Sequence, residues 1–317
     1  MILFRILFFL LRVIWYAFWG LYQLALGAIF VLIAWGLWQA SQYLHVRDIL
    51  ALRHHSPKTT AFMEAEKQAR LDSLRAAEAA GAKNLPDTTF RYRFIPMDSI
   101  PKSLRDMALV AEDAKFYSHH GFDLEEIEYA LVANHQQGRK ARGASTISQQ
   151  VVKNLFLKPD KEMTRKLREA AMTYLMEETL TKDRILELYL NIAQFGPGVF
   201  GVAEGAEYHF GKSIGELKPE EQLGLVCLLP SPEKWSPRRN QTAYLLHKRR
   251  VVGNYALFKG IRDRSDTTHP GWIIQVYDSL SNRVNQDKWD RLRTSSGNAQ
   301  PLDSAQAGSK TDSTSED

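Results

Sequence analysis

A long uncharged apolar stretch near the N-terminus most restricts how this chain of 317 residues can fold. No Asp, Glu, Lys or Arg occurs between Arg12 and Arg47. A transmembrane helix needs roughly 20 mostly apolar residues, so the stretch is long enough to span a bilayer. The sequence therefore predicts one membrane-spanning anchor. Aromatic side chains typical of the two membrane interfaces flank an apolar centre at 21–34: Trp15, Tyr16, Phe18, Trp19 and Tyr22 on one side, and Trp35, Trp38 and Tyr43 on the other.

The length of this stretch favours a retained anchor over a cleaved signal peptide, whose apolar region is shorter. Basic residues flank the stretch on both sides, so the positive-inside rule does not fix its orientation. The short segment before it favours an N-terminus in the cytoplasm and a body outside. The one cysteine, Cys227, lies in an apolar run. It is expected to be a small buried side chain, because an intramolecular disulfide needs a second thiol.

Composition divides the chain into an anchor and four further segments. Residues 1–44 form the cytoplasmic tip and the transmembrane anchor. Residues 45–87 are expected to be an interfacial linker and a helical stalk, with the helical core lying beyond Phe94. A mainly α domain is predicted over 88–262, because its segments have helical spacing and, after a short extended segment at 88–95, no set of alternating strands. An amphipathic helix over 263–293 and a disordered tail over 294–317, rich in Ser, Thr and Asp, follow.

Two adjacent carboxylates end one apolar run of the predicted helical domain. Leu104 and Ala108 share a helical face, and Glu112 and Asp113 follow at the end of the run. A carboxylate at the mouth of a buried helix is costly unless it is paired or used. Its pKa tends to be raised, as a general base requires. A helix C-terminus with solvated charges and a glycine cap explains this stretch alone equally well.

Positive charge is concentrated between residues 139 and 168, although the whole chain carries only +5. Lys161, Arg165 and Arg168 fall on one helical face, and Glu169 lies on the same face. Such a cationic surface suits phosphate groups. A solvated basic face or attraction to lipid headgroups is the alternative, and nucleic acid would rarely meet a body outside the membrane. Only Asp160 and Glu162 oppose nine basic residues: Arg139, Lys140, Arg142, Lys153, Lys158, Lys161, Arg165, Lys166 and Arg168.

A dense polar cluster precedes this basic surface, at residues 143–154. Glycine, hydroxyl and amide groups in one segment can donate hydrogen bonds to a sugar or a phosphate. The same segment can equally be a polar loop that caps the next helix through Ser145 or Thr146. Composition alone does not separate these two interpretations.

Four polar motifs follow one another in a fixed order, and together they resemble the peptidoglycan glycosyltransferase domain of glycosyltransferase family 51. The same domain opens the bifunctional penicillin-binding proteins. The resemblance covers roughly Phe94 to Val252. The motifs are Glu112-Asp113-x-x-Phe116-x-x-His119-x-Gly121; Gly143-x-Ser145-Thr146-Ile147-x-Gln149-Gln150-x-x-Lys153-Asn154; Arg165-Lys166-x-x-Glu169; and Lys182-x-x-Ile185-Leu186-Glu187-x-Tyr189-Leu190-Asn191. Two further segments, 195–201 and 229–232, resemble the monofunctional biosynthetic transglycosylases in particular.

The resemblance implies a lysozyme-like helical domain that polymerises lipid II in cell wall biosynthesis. In this family, Glu112 would take the proton from the acceptor hydroxyl, and undecaprenyl pyrophosphate would leave with inversion at the sugar. Glu169, the second residue assigned to catalysis, would orient the cationic set instead of acting as the base. The resemblance and the chemistry of the residues together assign substrate binding to Asp113, Phe116, His119, Ser145, Thr146, Gln149, Gln150, Lys153, Asn154, Lys161, Arg165, Lys166 and Arg168.

The expected partners are lipid II, the growing lipid-linked glycan chain, the membrane and other cell-wall synthesis proteins, with no nucleic acid. No cofactor is expected to be required, although a divalent cation, Mg²⁺ or Mn²⁺, could assist the pyrophosphate. The resemblance places the protein in a bacterial inner membrane with its catalytic domain on the periplasmic side. Two small departures occur: Ser148 stands where the family usually has threonine, and Lys161 where arginine is common.

Two other functions compete with the synthase. A lysozyme-type hydrolase would use Glu112 as an acid on existing glycan, but it would need neither a lipid nor the basic surface. A non-catalytic membrane scaffold that recruits wall enzymes would need neither carboxylate. The complete motif context of Glu112 and Glu169 argues against the scaffold.

Overall fold

The chain is mainly α-helical, as the sequence predicted. A computed structural model describes residues 2–136, 144–157, 163–239, 241–261 and 271–295. Three very short strands and two single 3₁₀ turns join the helices. The α-helices of the described residues are α1 Ile2–Tyr43, α2 Val46–Ala51, α3 Ala61–Ala79, α4 Lys102–Glu112, α5 Leu124–Gln136, α6 Ile147–Phe156, α7 Met163–Thr179, α8 Lys182–Ile192, α9 Val202–Phe210, α10 Pro219–Val226, α11 Thr242–Phe258 and α12 Trp272–Ser295.

The first helix, α1, contains the predicted anchor. It is 42 residues long, and its segment Leu3–Tyr43 is the one helix in the described part of the chain that is long and apolar enough to cross a membrane. None of its apolar window is buried by the rest of the protein, so its surface is available to lipid. The helix already begins at Ile2, so the short segment before the apolar stretch is helical too.

Residues 46–79 do not form a stalk that stands away from the body, which corrects the expectation from the sequence. Helix α2 packs against α7, and α3 packs against α6. Ile49 and Met63 are fully buried in the main core. Arg53 Nε also donates a hydrogen bond of 2.7 Å to the Thr179 carbonyl. The charged, alanine-rich sequence concealed these few apolar contacts, which are enough to hold both helices on the body.

A small sheet closes one side of the helical domain. Strands β1 (Arg91–Tyr92), β2 (Gln194–Gly196) and β3 (Val199–Phe200) lie in the order β1-β3-β2. β1 runs parallel to β3, and β2 runs antiparallel to it. The extended segment predicted at 88–95 therefore contains a strand. The fully buried Asn191 side chain fixes its end, because it bonds to both the amide and the carbonyl of Ile95.

The core of the domain forms around α4. Leu104 and Ala108 are fully buried, as their spacing predicted, and so is Met107. Helix α4 packs against α10 and α11. On the other side of the domain, α6 packs against α7 and α8. A capping box starts α6: the Thr146 hydroxyl accepts from the Gln149 amide, and the Gln149 side chain accepts from the Thr146 amide. The sequence thus defines where α6 begins, directly beside the end of α4.

Beyond this domain, α12 packs along α11, so the predicted amphipathic helix is present and lies on the body. Ile273, Val276 and Leu280 form its buried face. The tail predicted to be disordered lies outside the described residues, apart from the last residues of α12.

Candidate active site

The Glu112 carboxyl lies at the C-terminal end of α4 and is enclosed by side chains of neighbouring helices. Gln150 Nε2 donates a hydrogen bond of 2.9 Å to Glu112 Oε2. Burial is the largest influence on this group and raises its pKa, while Gln150, Tyr189, Lys153 and Arg250 each oppose the increase. A buried carboxyl with a raised pKa, next to cations that keep it ionisable, has the properties of a general base.

The adjacent carboxylate, Asp113, has a structural role. Both its oxygens lie 3.0 Å from His119 Nε2, and Oδ2 also accepts a hydrogen bond of 3.0 Å from the Ile147 amide. The Asp113 and His119 side chains are only 4% and 9% exposed. Asp113 therefore ties the end of α4 to the first turn of α6. The sequence assigned Asp113 and His119 to substrate binding, but the structure buries both side chains.

A polar pocket opens between α5, α6 and α7, with a volume of about 410 Å³. Gln150, which contacts Glu112, lies in its wall. Gln150 therefore connects the Glu112 carboxyl to a pocket that the cations line. The lining includes seven residues that the sequence assigned to the site: Ser145, Gln149, Gln150, Lys153, Arg165, Lys166 and Glu169.

Three cations and one carboxylate set the charge of this pocket. Glu169 is 3% exposed and accepts a hydrogen bond from Lys166. Lys153 remains accessible to solvent, yet the protein packed around its ammonium lowers its pKa, and the Glu169 charge acts in the opposite direction. The buried Nε of Arg165 has no hydrogen-bond partner among the described residues. Donors and positive charge exceed acceptors, so the pocket suits an anionic group.

Arg168 does not line this pocket, although the sequence placed it with Arg165. Its Nε donates a hydrogen bond of 2.8 Å to the Tyr43 carbonyl, and its guanidinium lies 4.4 Å from the centre of the Tyr43 ring. Tyr43 is the last residue of α1. Arg168 thus caps the membrane helix and fastens it to α7, and these contacts with Tyr43 hold its guanidinium outside the pocket.

Other predicted site residues are packed into the fold or lie outside the pocket lining. Phe116 is fully buried beneath the Lys182 ammonium, 4.4 Å from its ring centre. Thr146 is 3% exposed and serves as the cap of α6, donating its hydroxyl to the Gly121 carbonyl. Asn154 is half-buried on α6 and is not among the pocket-lining residues. Lys161 lies outside the described residues.

The sequence gave no role to two groups that the fold brings to Glu112. Tyr189 of α8 is fully buried, and this burial, together with the nearby Glu112 charge, raises its pKa well above the ordinary value. Its hydroxyl approaches Glu112 without a hydrogen bond of normal geometry. Arg250 of α11 also acts on the carboxyl. Tyr189 lies inside a quoted motif and could have been noticed, whereas Arg250 depends on how α11 packs against α4.

Known proteins match the helical domain and up to about three quarters of the chain. The sequence profile described as transglycosylase matches residues 81–256, more than half of the chain. The chain belongs to the transglycosylase family. This membership confirms the predicted family and the lysozyme-like helical class of the domain, and it makes the protein a glycosyltransferase.

Individual relatives support the same assignment. A protein of Nitrosospira multiformis named biosynthetic peptidoglycan transglycosylase is 37% identical over 235 residues, which cover 74% of this chain and 93% of the relative. A protein of the same name from Azoarcus sp. is 36% identical over 231 residues, 73% of this chain and 92% of the relative. In Acinetobacter baumannii, a third is 39% identical over 170 residues, 54% of this chain and 75% of the relative.

Proposed function

We propose that this transglycosylase polymerises lipid II into glycan strands for the bacterial cell wall. The observation that carries the proposal is one continuous arrangement: a carboxyl with a raised pKa, joined through Gln150 to a pocket with three cations. A proton acceptor at one end and cations at the other match a reaction in which a hydroxyl attacks and a diphosphate leaves.

In the proposed reaction, Glu112 takes the proton from the 4-hydroxyl of the acceptor GlcNAc. That oxygen forms a new bond to C1 of the donor MurNAc, and the bond from C1 to the pyrophosphate oxygen breaks with inversion. The pyrophosphate leaves with the bonding electrons, so charge develops on its oxygens. Preorganised donors stabilise such charge best when they are in place before the reaction. Lys153, Arg165 and Lys166 supply them from two adjacent helices.

Glu169 is proposed to position these cations and not to accept the proton. Its oxygen holds Lys166, and its charge keeps the Lys153 ammonium protonated against the effect of burial. Glu169 therefore lies among the cations, paired with one of them, and not beside the Gln150 amide that contacts Glu112. The division of roles between Glu112 and Glu169 therefore follows from their surroundings.

The pocket fits an anionic ligand better than a protein-bound metal. It contains one carboxylate, already held by Lys166, and no group of three His, Cys, Asp or Glu side chains in the described parts of the chain could hold an ion. We expect the proposed reaction to rely on the protein's own cations. Mg²⁺ or Mn²⁺ remains a proposed aid that would enter with the pyrophosphate, and activity measured with and without a chelator tests it.

The anchor places the enzyme where its substrates are. Both proposed reactants carry a polyprenyl chain, so an enzyme fastened to the same membrane meets them on one surface. The proposed orientation has the N-terminus in the cytoplasm and the catalytic domain in the periplasm. A cysteine introduced by Ser73→Cys on exposed α3 would test it, since Cys227 is buried and unreactive. A membrane-impermeant maleimide should label that variant in cells with a permeabilised outer membrane. Partnership with other cell-wall synthesis proteins stays a prediction.

The deciding experiment compares lipid II with lipid-free glycan strands as substrates. Wild type, Lys153→Glu and the matched control Lys67→Glu, an exposed position on α3, are each incubated with both. Removing one preorganised donor to developing charge costs about 100- to 1,000-fold in rate, and a repulsive charge should cost at least as much. Polymerisation should therefore fail in Lys153→Glu and persist in the control.

The same experiment separates the synthase from its two competitors. A glycan hydrolase would be nearly indifferent to Lys153→Glu, because neither its substrate nor its leaving group carries phosphate. Glycan cleavage that survives the substitution would overturn the proposal, and a scaffold would turn over neither substrate.

A further inference from the structure

The first turn of α6 connects the proposed base to the cations of the pocket. Gln150 in this turn contacts Glu112, and Lys153 of the same helix lines the pocket nearly one turn further on. The position of the turn therefore sets how the proton acceptor and the leaving-group donors are spaced. A displacement of about 1 Å, caused by a substitution far from the chemistry, can cost about 100-fold in rate. The side chains that hold this turn in place therefore matter for the proposed reaction.

Three consecutive residues at the start of α6 each form a hydrogen bond to another part of the fold. The loop after α4 accepts the first two of these bonds, from Thr146 and Ile147. The third comes from Ser148, whose hydroxyl donates to Oε1 of Glu177 on α7. Ser148 is fully buried, so this bond is shielded from bulk water. Of the three acceptors, the Glu177 carboxylate is the one that belongs to a neighbouring helix.

The Glu177 carboxylate is buried and paired. Its side chain is 3% exposed, and Oε1 also accepts a hydrogen bond of 2.8 Å from Nζ of Lys182, the first residue of α8. A buried carboxylate is costly unless it is paired and hydrogen-bonded, and this one is both. The Lys182 ammonium in turn lies over the ring of Phe116 in the loop after α4. Glu177 thus joins α6, α7 and α8, and through Lys182 it also reaches that loop.

The loop after α4 approaches the same carboxylate at Gly121. Its φ is +80°, and a Cβ at this position would lie 2.9 Å from Thr173 Cγ2 and 3.1 Å from Glu177 Cγ. Both the backbone conformation and the close approach favour glycine. The Gly121 carbonyl is the acceptor for the Thr146 hydroxyl. Glu177 therefore supports two of the three bonds at the start of α6, one as the acceptor and one by packing against Gly121.

We propose that Glu177 is a positioning residue for the proposed reaction, and that it holds the first turn of α6 through Ser148 so that Gln150 reaches the base. This inference rests on the proposed function, in which Glu112 is that base. Residues two apart on an α-helix point roughly 200° apart, so Ser148 and Gln150 project from opposite sides of α6. Glu177 therefore acts from the side of α6 remote from Glu112, and it is outside the pocket lining.

The first test compares kcat for lipid II polymerisation by the full chain and its variants. Ser148→Ala removes the donor and should lose roughly 10- to 100-fold, whereas Ser148→Thr keeps the hydroxyl and should retain most of the rate. Glu177→Leu should resemble Ser148→Ala. Glu177→Gln should retain more, because its amide oxygen can still accept from the hydroxyl. Ser103→Ala is the matched control with full activity expected, since it removes a hydroxyl bonded to Gln222 between α4 and α10.

A double-mutant cycle separates positioning from a general loss of stability. Gln150→Ala removes the group that the turn is proposed to place. If Ser148 acts through Gln150, Ser148→Ala should cost at least about 3-fold less in the Gln150→Ala background than in wild type. A substitution that only loosened the fold would give losses that multiply. It would also lower the thermal midpoint without distinguishing Ser148→Ala from Ser103→Ala.

Each result supports or overturns the inference. Near-normal rates in Ser148→Ala and Glu177→Leu overturn it, and so do losses that multiply in the cycle or a Ser148→Thr variant as slow as Ser148→Ala. If Glu177→Leu does not fold, the two Ser148 variants and the cycle decide. A wild type that is inactive on lipid II would remove the proposed function, and this inference with it. An active wild type with a multiplicative cycle would remove this inference alone.

Discussion

The two parts of the proposed active site, the Glu112 carboxyl and the cation-lined pocket, are built in opposite ways. Around Glu112, helices from distant parts of the chain enclose the carboxyl, with the Gln150 amide bonded to it and the Tyr189 hydroxyl close by. In the pocket, Lys153 and Lys166 are exposed on α6 and α7. A base gains from burial, because desolvation raises its pKa. Cations that must receive a bulky diphosphate need to stay open, so only their spacing is fixed by the fold.

The largest effect is expected from a substitution of Glu112 itself. Glu112→Gln keeps size and shape but cannot accept a proton, and general-base losses are about 100- to 10,000-fold in rate. Lipid II polymerisation should collapse while the thermal midpoint stays near that of wild type. Glu207→Gln, an exposed carboxylate on α9, is the control and should retain full activity. Glycan synthesis by Glu112→Gln at a near-normal rate would mean that another group is the base.

A smaller and pH-dependent effect is expected from Glu169. Its side chain is buried, but it lines the pocket together with the exposed cations. Its charge opposes the fall in the Lys153 pKa, so Glu169→Gln lowers that pKa further. Lys153 must be protonated to stabilise the leaving group, and the alkaline limb should move to lower pH, with roughly a tenfold loss at alkaline pH. The exposed Glu178 of the same helix provides the control variant Glu178→Gln. An unchanged alkaline limb would remove Glu169 from the positioning of Lys153.

The smallest effect is expected at Arg168, which contacts Tyr43 and lines neither the Glu112 surroundings nor the pocket. Arg168→Ala removes the contact with Tyr43, a stacked cation worth about 0.5–1 kcal/mol at an exposed site, or roughly 2- to 5-fold. The rate should fall by that factor in proteoliposomes and stay near wild type in detergent, where the membrane no longer sets the position of α7. Arg165→Ala should lose activity in both. An equal loss for Arg168→Ala in detergent would return it to the leaving-group site.

The sequence predicted those features of the fold and the site that depend on neighbouring residues. The anchor, the buried face of α4 and the family motifs all lie in continuous stretches. Contacts between distant residues were missed: Ile49 and Met63 in the core, which contradict a separate stalk, and the approach of the Tyr189 hydroxyl to Glu112. Membership of the same motif also did not distinguish Asp113, which supports the fold, from Glu112, which is hydrogen-bonded to the pocket-lining Gln150.

The contact between Arg168 and Tyr43 has a consequence for depth. If residues 21–34 are centred in the bilayer, half of its roughly 30 Å hydrocarbon core ends about ten residues beyond that centre, at a rise of about 1.5 Å per residue. Tyr43 then stands about 8 Å further out, at the outer edge of the headgroup region. Because Arg168 joins Tyr43 to α7, the cations of that helix are held at the level where the diphosphate of a polyprenyl lipid emerges. The anchor thus acts as a ruler, and an insertion or deletion of a few residues in α1 would move the pocket away from its lipid substrate.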